Sequence, residues 1–394
     1  MVAWTLMALT GVGLLLTLVM LGAQRRQLRA GPPPAPGAWP AVSILKPLKG
    51  ADADLEANLE TFLTLDYPRY EVIFGVASID DPALEVARAV AARHPEVMTR
   101  FAVGGPSVGH NPKVNNLANI VRYAQYDALL ISDSNVAVER SFLRPMVARL
   151  EDGDVGLVTS FIRGIDGSGL GGSIESLQLN TFVMGGVAAV GGVLGQVCAV
   201  GKSMLLRRDD LDRIGGFAEL GRYLAEDQIC GELIRGRGRG VVVCGRPVDN
   251  VLGRLSLRDF SGRHLRWARI RRRISPLGYS AELLTNPLAM TVALLVIAPG
   301  VFSLVAAAAC LVILSGAAAM AEGLLGVRRP LHHYPPLLLL RSLLVLVLWP
   351  VPFVSSSVVW RGRSFRIGPR TLLQPETPWL ADDLADLNPE EAVA

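Results

Sequence analysis

The sequence predicts a doubly wound α/β domain set between membrane segments, and three observations carry that prediction. From Ala41 onward, short apolar runs ending in polar residues alternate with stretches of helical spacing. Three long apolar stretches lie outside this region, Val2–Ala23 before it and Pro287–Leu325 and Pro335–Trp360 after it. Arginine clusters abut each apolar stretch: Arg25, Arg26 and Arg29; Arg263, Arg266, Arg269 and 271–273; Arg328 and Arg329; Arg361, Arg363, Arg366 and Arg370.

The first stretch, taken as residues 1–23, is uncharged and close to the ~20 residues that spanning a bilayer takes. No basic residue precedes it and three arginines follow it, so it reads as an uncleaved anchor with its N-terminus outside. Residues 24–40 form a linker whose second half, GPPPAPGAWP, is proline-rich and semi-rigid. The globular domain is expected over 41–284. In it Val42–Leu45, Glu71–Val76 and Ala128–Ser132 read as buried parallel strands. Leu55–Leu65, Asp81–His94 and Pro112–Tyr126 read as helices between them, with Pro82 and Pro112 in first turns that tolerate proline. Ligands of such sheets bind outside the carboxyl ends of the strands, which is where Lys46, Asp81 and Asp133 fall.

Residues 285–360 are expected to hold transmembrane and interfacial helices. Pro287–Leu325 is long enough for two spans broken at Pro299–Gly300. Pro335–Trp360 contains Pro336, Arg341, Pro350 and Pro352, and an arginine inside a span is costly. An interfacial helix or a re-entrant hairpin suits it better, since the basic residues on both sides then stay cytoplasmic. Residues 361–394 are expected as a cytoplasmic tail, acidic and solvated over Pro375–Ala394.

Composition agrees with this layout. Hydrophobic residues make up 51% of 394 and the mean hydropathy is +0.37, above an ordinary soluble chain. The net charge of +4 resides in clusters that track membrane edges, with no aromatic-interleaved basic patch, which argues against nucleic-acid binding. Cys198, Cys230, Cys244 and Cys310 show no CxxC spacing, so neither a disulfide framework nor a zinc site is predicted, as suits the reducing cytosol.

Several motifs are candidates for chemistry, each with a plainer reading beside it. Asp133, in Ile131-Ser-Asp-Ser-Asn135, ends a strand: it is either a turn former or a ligand for a divalent cation that binds a diphosphate. Glu226-Asp227 is either the acidic first turn of a helix running to Ile234 or the site of a general base. Arg263-His-Leu-Arg266-Trp267 is either a basic amphipathic helix on headgroups or a phosphate-binding, stacking element. Asp81 either caps the helix at Pro82 or accepts from a nucleotide. Lys113 either begins a helix or points at a donor. Gly201-Lys202-Ser203 lacks the glycine frame of a phosphate-binding P-loop.

In this order, Asp81, Asp133, Asp227 and Arg263xxArg266-Trp267, the motifs resemble the D, D, D, (Q/R)xxRW pattern of family 2-like membrane glycosyltransferases. The resemblance is closer to the ceramide glucosyltransferase family. Val42-Ser-Ile-Leu-Lys-Pro-Leu-Lys-Gly50, Asn58–Phe62, Leu65–Val72, Asp80–Ala83, Asn111–Leu117, Tyr126-Asp127, Gly156–Val158 and Leu224–Asp227 look like its blocks. The resemblance covers roughly 40 to 280 and implies a glycosyltransferase A-type (Rossmann-like) fold with an inverting single displacement. It implies that Lys46, Asp81, Lys113 and Asp133 bind a UDP-sugar, Asp81 at the uridine, and that Asp133 holds Mg²⁺ or Mn²⁺. Asp227 would be the general base, and Arg263, Arg266 and Trp267 would serve the diphosphate and the acceptor.

The implied reaction moves a hexose, best taken as glucose, to the primary hydroxyl of ceramide. Another UDP-sugar with a hopanoid or diacylglycerol acceptor is the alternative within the class. A non-catalytic membrane scaffold is the alternative outside it, and retention of the three acidic positions with Arg-Trp argues against that. Asn135 stands where related transferases place the second Asp of a DxD, and Asn180–Val190 lacks the histidine-proline element of the animal enzymes. The Ala-, Gly- and Arg-rich composition suggests a bacterial inner-membrane protein, multi-pass, with its catalytic domain cytoplasmic.

Overall fold

A computed structural model describes residues 1–376 apart from 32, 52–53, 196 and 361–362. Arg361 and the acidic tail from 377 on lie outside the described residues. The chain divides into two compact units. One gathers Met1–Ala30, Arg163–Gln196 and Leu252–Ser356; the other gathers Gly31–Ile162, Val197–Val251 and the chain from Ser357 on.

The second unit is built on an eight-stranded sheet. Its strands are β1 (Val42–Pro47), β2 (Tyr70–Val76), β3 (Met98–Val103), β4 (Ala128–Ser132), β5 (Val136–Ala137), β6 (Val155–Ile165), β7 (Ser203–Arg207) and β8 (Gly240–Val251), in the order β3-β2-β1-β4-β7-β6-β8-β5. The half β3-β2-β1-β4 is parallel, with Val42 opposite both Tyr70 and Ala128. These strands are apolar throughout because helices cover the sheet faces. Three of those helices occupy the expected places, at Leu55–Leu63, Pro82–Ala92 and Pro112–Ile120. Leu45, Ile73, Val114, Leu117, Leu129 and Ile131 meet in the core between strands and helices.

Beyond β4 the sheet turns antiparallel, which a purely doubly wound reading did not anticipate. β7 pairs with β4 in the register Ser132 opposite Ser203, and β6 pairs with β7. Where β4 leaves the sheet, therefore, β7 enters it.

The stretch 357–375 departs from expectation. It was expected to end the apolar region and begin a tail. Instead β9 (Ser357–Trp360), β10 (Arg363–Ile367) and β11 (Leu373–Pro375) form an antiparallel sheet in the globular unit. Three serines at 355–357 end the helical run, and the β-branched pair Val358-Val359 favours a strand over another turn of helix.

The other unit is helical. Among the described residues, Val2–Arg29, Val301–Leu324 and Leu331–Val354 are long and apolar enough to cross a membrane. The helix Pro287–Ile297 has 11 residues, about half of the ~30 Å hydrocarbon core at ~1.5 Å per residue, so it cannot span alone. It counts as a crossing only with the bent segment Pro276–Thr285, at 65° to it. The chain breaks between Ile297 and Val301, at the predicted Pro299–Gly300. Residues 163–195 and 252–284, expected in the globular domain, group with these helices. Asn180–Val190, read as glycine-rich and apolar, is helical, with a π-turn at Leu179–Val183 leading into the helix Met184–Leu194.

A buried carboxylate ties this unit together. Glu322 is fully buried in the helix Val301–Leu324 and accepts from Arg329 Nε at 3.0 Å and Nη2 at 3.2 Å, from the Tyr334 hydroxyl at 2.8 Å and from Asn180 Nδ2 at 3.1 Å. Arg329, counted among the flanking cations in the sequence, is thus an internal counter-ion. A buried carboxylate satisfied on this scale persists where an unpaired one would not.

Candidate active site

The carboxyl ends of β2, β1 and β4, neighbours in the sheet, carry Asp81, Lys46 and Asp133. Asp81 begins the helix Pro82–Ala92: its Oδ1 accepts from the Ala83 N–H at 3.0 Å and from the Gly50 N–H at 2.8 Å. It therefore caps its helix and also fixes the loop after β1. Lys46 is fully buried, lies over the Phe62 ring at 3.8 Å, and donates to the Asp133 carbonyl at 2.6 Å. Burial lowers its pKa well below that of an exposed lysine. Its direct contact is with the strand end that presents Asp133.

Asp133 lies between two ammonium groups. Lys113 Nζ stands 2.7 Å from Oδ1 and Lys202 Nζ 3.0 Å from Oδ2. Burial works against the charged carboxyl, but the two lysines outweigh it and hold Asp133 well below the usual carboxylate range. Lys113 reaches this point because Asn111 caps its helix, accepting from the N–H groups of Lys113 and Val114. Its ammonium also pairs with Glu226 Oε1 at 2.9 Å. Glu226 in turn accepts from Asn111 Nδ2 at 3.2 Å.

Asp227 begins the helix Glu226–Gly236, as the sequence predicted. Two backbone donors fix it, Gly201 N–H to Oδ2 and Gln228 N–H to Oδ1, both at 2.8 Å. Burial and the adjacent Glu226 charge raise its pKa; Lys113 and the two N–H groups pull the other way, and the balance is about 6. That is a value suited to a base working near neutrality. A Cβ on Gly201 would stand 2.6 Å from Asp227 Oδ2, so the close approach needs glycine.

Gly201 and Lys202, which lack the P-loop glycine frame, nonetheless belong to the site. Their role follows from the pairing of β7 with β4, which carries Lys202 to the end of β4, where its carbonyl accepts from Ser132 Oγ at 3.2 Å. No local pattern encodes a contact between residues 70 positions apart. Asn135 likewise gains a reason to be an amide: its Oδ1 accepts from Lys202 at 2.7 Å while its Nδ2 donates to Asn250 Oδ1 at 3.0 Å. An aspartate could not do the second.

Lys46, Lys113, Asp133 and Asp227 thus share one locality in the globular unit, joined by Lys202 and Glu226. Arg263, Arg266 and Trp267 lie in the helical unit, on the helix Leu257–Ile274, which opens on a capping box between Ser256 and Asp259. Arg263 pairs with Glu175 at 3.5 Å, and the 263, 266, 267 spacing sets the three on one helix face.

A divalent cation of the Mg²⁺ type takes one or two carboxylates and completes its shell with water and substrate phosphates. The hard oxygens of Asp133 fit that limited demand. No group of three His, Cys, Asp or Glu side chains forms an all-protein cage among the described residues. Both Asp133 oxygens now face ammonium groups, so a cation would have to share or displace them.

A model of glycosyl transferase family 21 matches residues 4–373. The chain belongs to that family. Ceramide glucosyltransferase 3 of Caenorhabditis elegans is 32% identical over 233 residues, 59% of this chain and 50% of the worm protein. Ceramide glucosyltransferase 1 of the same organism is 32% identical over 238 residues, 60% of this chain and 51% of its own length. The ceramide glucosyltransferase of Komagataella phaffii is 40% identical over 109 residues, 27% and 21% of the two chains. This family 21 chain therefore spans about half the length of the worm proteins it matches. Among solved structures, a mannosyltransferase of Pyrobaculum calidifontis in complex with GDP-mannose and Mn²⁺ is similar with a TM-score of 0.50, at 19% identity, over 88% of this chain and 99% of that one. That likeness supports the mixed α/β glycosyltransferase A-like fold.

Proposed function

We propose that this family 21 chain is an inverting lipid glycosyltransferase that moves glucose from UDP-glucose to the primary hydroxyl of ceramide. The observation that carries the chemistry is Asp227: a carboxylate fixed by two backbone N–H groups, with a pKa raised to about 6, beside a cluster of lysines at the strand ends. The matched ceramide glucosyltransferases support the choice of acceptor.

In this reading the acceptor hydroxyl gives its proton to Asp227 as its oxygen bonds to the anomeric carbon from the face opposite the phosphate. The bond from that carbon to the phosphate oxygen breaks, and its electron pair leaves with UDP. The charge that develops on the diphosphate falls to Lys113 and Lys202, which now pair with Asp133 and whose ammonium groups a diphosphate at the same strand end would attract. Asp81 is proposed to face the uridine and Lys46 to hold the Asp133 strand end. Arg263, Arg266 and Trp267 keep their proposed diphosphate and acceptor roles on the strength of motif order. When bound, Mg²⁺ or Mn²⁺ at Asp133 supplies further positive charge for the leaving group. The setting proposed is a membrane, with the globular unit on the arginine-rich, cytoplasmic side.

Because lysines occupy both Asp133 oxygens, cation binding should depend on nucleotide. Mn²⁺ titrated into the full chain is expected to bind at least ten-fold more tightly with UDP present than without. Equal affinity in the two titrations contradicts the proposed sharing. The function itself is tested by expressing the chain in a host without glycolipids, supplying ceramide, and analysing lipids by mass spectrometry. A monohexosylceramide is expected; its absence alongside a hexosylated diacylglycerol or hopanoid would move the acceptor assignment.

A further inference from the structure

Arg341 is the cost that made Pro335–Trp360 an awkward span in the sequence. It lies within the helix Tyr334–Leu348, and its one hydrogen bond among the described residues is a long one, Nη1 to Thr181 Oγ1 at 3.4 Å. Its Nε is buried without an acceptor, and no carboxylate among the described residues pairs with it. A guanidinium left this way among apolar helices is unfavourable unless something else supplies acceptors.

The same place holds the complementary deficit. Asn286 is 3% exposed; its Nδ2 donates to the Ser342 carbonyl at 3.0 Å, while its Oδ1 is buried with no donor. Arg341 and Asn286 line one cavity of about 60 Å³ inside the helical unit, walled otherwise by apolar side chains such as Leu314 and Leu338 and by polar residues that include Gln24, Thr181 and Ser342. A water needs about 10–15 Å³ on this measure, so the cavity has room for a polar group of a few heavy atoms and not for a whole lipid. Arg341 follows Tyr334 by seven residues, about 10 Å along the helix at ~1.5 Å per residue. It is the eleventh of the 24 residues of the candidate span Leu331–Val354, at a depth where a guanidinium must find its acceptors inside the helix bundle.

We propose that this cavity seats the amide-and-hydroxyl linkage of the acceptor lipid, with Arg341 donating to its carbonyl or hydroxyl oxygen and Asn286 Oδ1 accepting from its N–H or O–H. A phosphodiester with a donorless headgroup, as in phosphatidylcholine, offers acceptors only and leaves Asn286 unsatisfied, so the pairing of one orphan donor with one orphan acceptor selects an amide-and-hydroxyl lipid over such a phospholipid. The inference rests on the acceptor reading above and locates it on named residues.

The test uses the full chain in nanodiscs and a ceramide bearing a diazirine close to its amide. Photolysis is expected to place adducts on peptides containing Thr181-Phe182 or Leu314–Ala321, and unlabelled ceramide but not phosphatidylcholine is expected to suppress them. Arg341→Met should reduce labelling about ten-fold and raise KM for ceramide by a similar factor, with KM for UDP-glucose unchanged. Asn286→Leu serves as a second variant should the first fail to fold. Wild-type labelling and wild-type KM in both variants, or suppression by phosphatidylcholine as strong as by ceramide, overturns the site. If the wild type makes no glucosylceramide at all, the acceptor reading fails instead, and the adduct map shows separately whether the cavity holds an amide lipid.

Discussion

Burial and the Glu226 charge raise the Asp227 pKa to about 6, whereas two lysines hold Asp133 far below the ordinary range, so two carboxyls of one type are set apart in their titration. Only ionised Asp227 can accept a proton, so kcat/KM should climb with pH and level off above about 6. A profile flat from pH 5 to pH 8 contradicts the base assignment. The same shift affects stability. A carboxyl whose pKa is higher folded than unfolded stabilises the fold below its unfolded pKa of about 4 and loses that contribution as pH rises through the folded value. Asp227→Asn removes this loss, so its apparent Tm relative to wild type should become more positive between pH 5 and pH 8. A difference independent of pH would mean Asp227 is not perturbed. Gly201→Ala is the sharper probe of geometry, because its methyl would stand 2.6 Å from Asp227 Oδ2. It should lower kcat at least ten-fold with UDP affinity within two-fold of wild type; unchanged kcat argues that the Gly201 contact does not position the base.

At the scale of elements, strand ends and helix starts were legible and sheet partners were not. β1, β2 and β4 could be read as buried strands with Lys46, Asp81 and Asp133 after their apolar runs, because both faces of a parallel sheet are covered and the pattern is local. Asn111-Pro112 and Glu226-Asp227 announced helix starts for a similar reason. The antiparallel entry of β7 carries no such mark, and with it Gly201 and Lys202 went unrecognised. The C-terminal strands were hidden too, since their Val-Val-Trp run continues an apolar stretch. Yet they reach the site: the carbonyl and hydroxyl oxygens of Thr371 accept from the N–H groups of Leu224 and Ala225, at 3.0 and 3.2 Å, just ahead of Glu226 and Asp227. Thr371 is fully buried with φ +64, a strained conformation for a β-branched residue. Thr371→Ala keeps the carbonyl bond and loses the hydroxyl bond, worth about 1 kcal/mol. A fall in kcat with KM for UDP-glucose unchanged is expected; wild-type kcat would make the Thr371 contact purely structural.

At the scale of the whole molecule, the family match from residue 4 to residue 373 takes in both units. The helical unit solves its own electrostatic problem at Glu322, which has four hydrogen bonds, and leaves another open at Arg341, which has one. The globular unit gathers Lys113, Lys202, Asp133 and Glu226 in one ion-paired cluster at the strand ends. The apolar stretches were readable as membrane segments, and among the described residues three helices are long and apolar enough to cross a membrane. Which segments group with the apolar helices was not readable, because 163–195 and 252–284 carry polar residues enough to pass for parts of a soluble domain.

The most direct test of the account is transfer by the full chain in membranes, with labelled UDP-glucose and ceramide, comparing wild type with Asp227→Asn. The account predicts β-linked glucosylceramide from the wild type and a rate lower by about 10²–10⁴ in the variant, the range one positioned base contributes. An α-linked product, or a variant as fast as wild type, would contradict it.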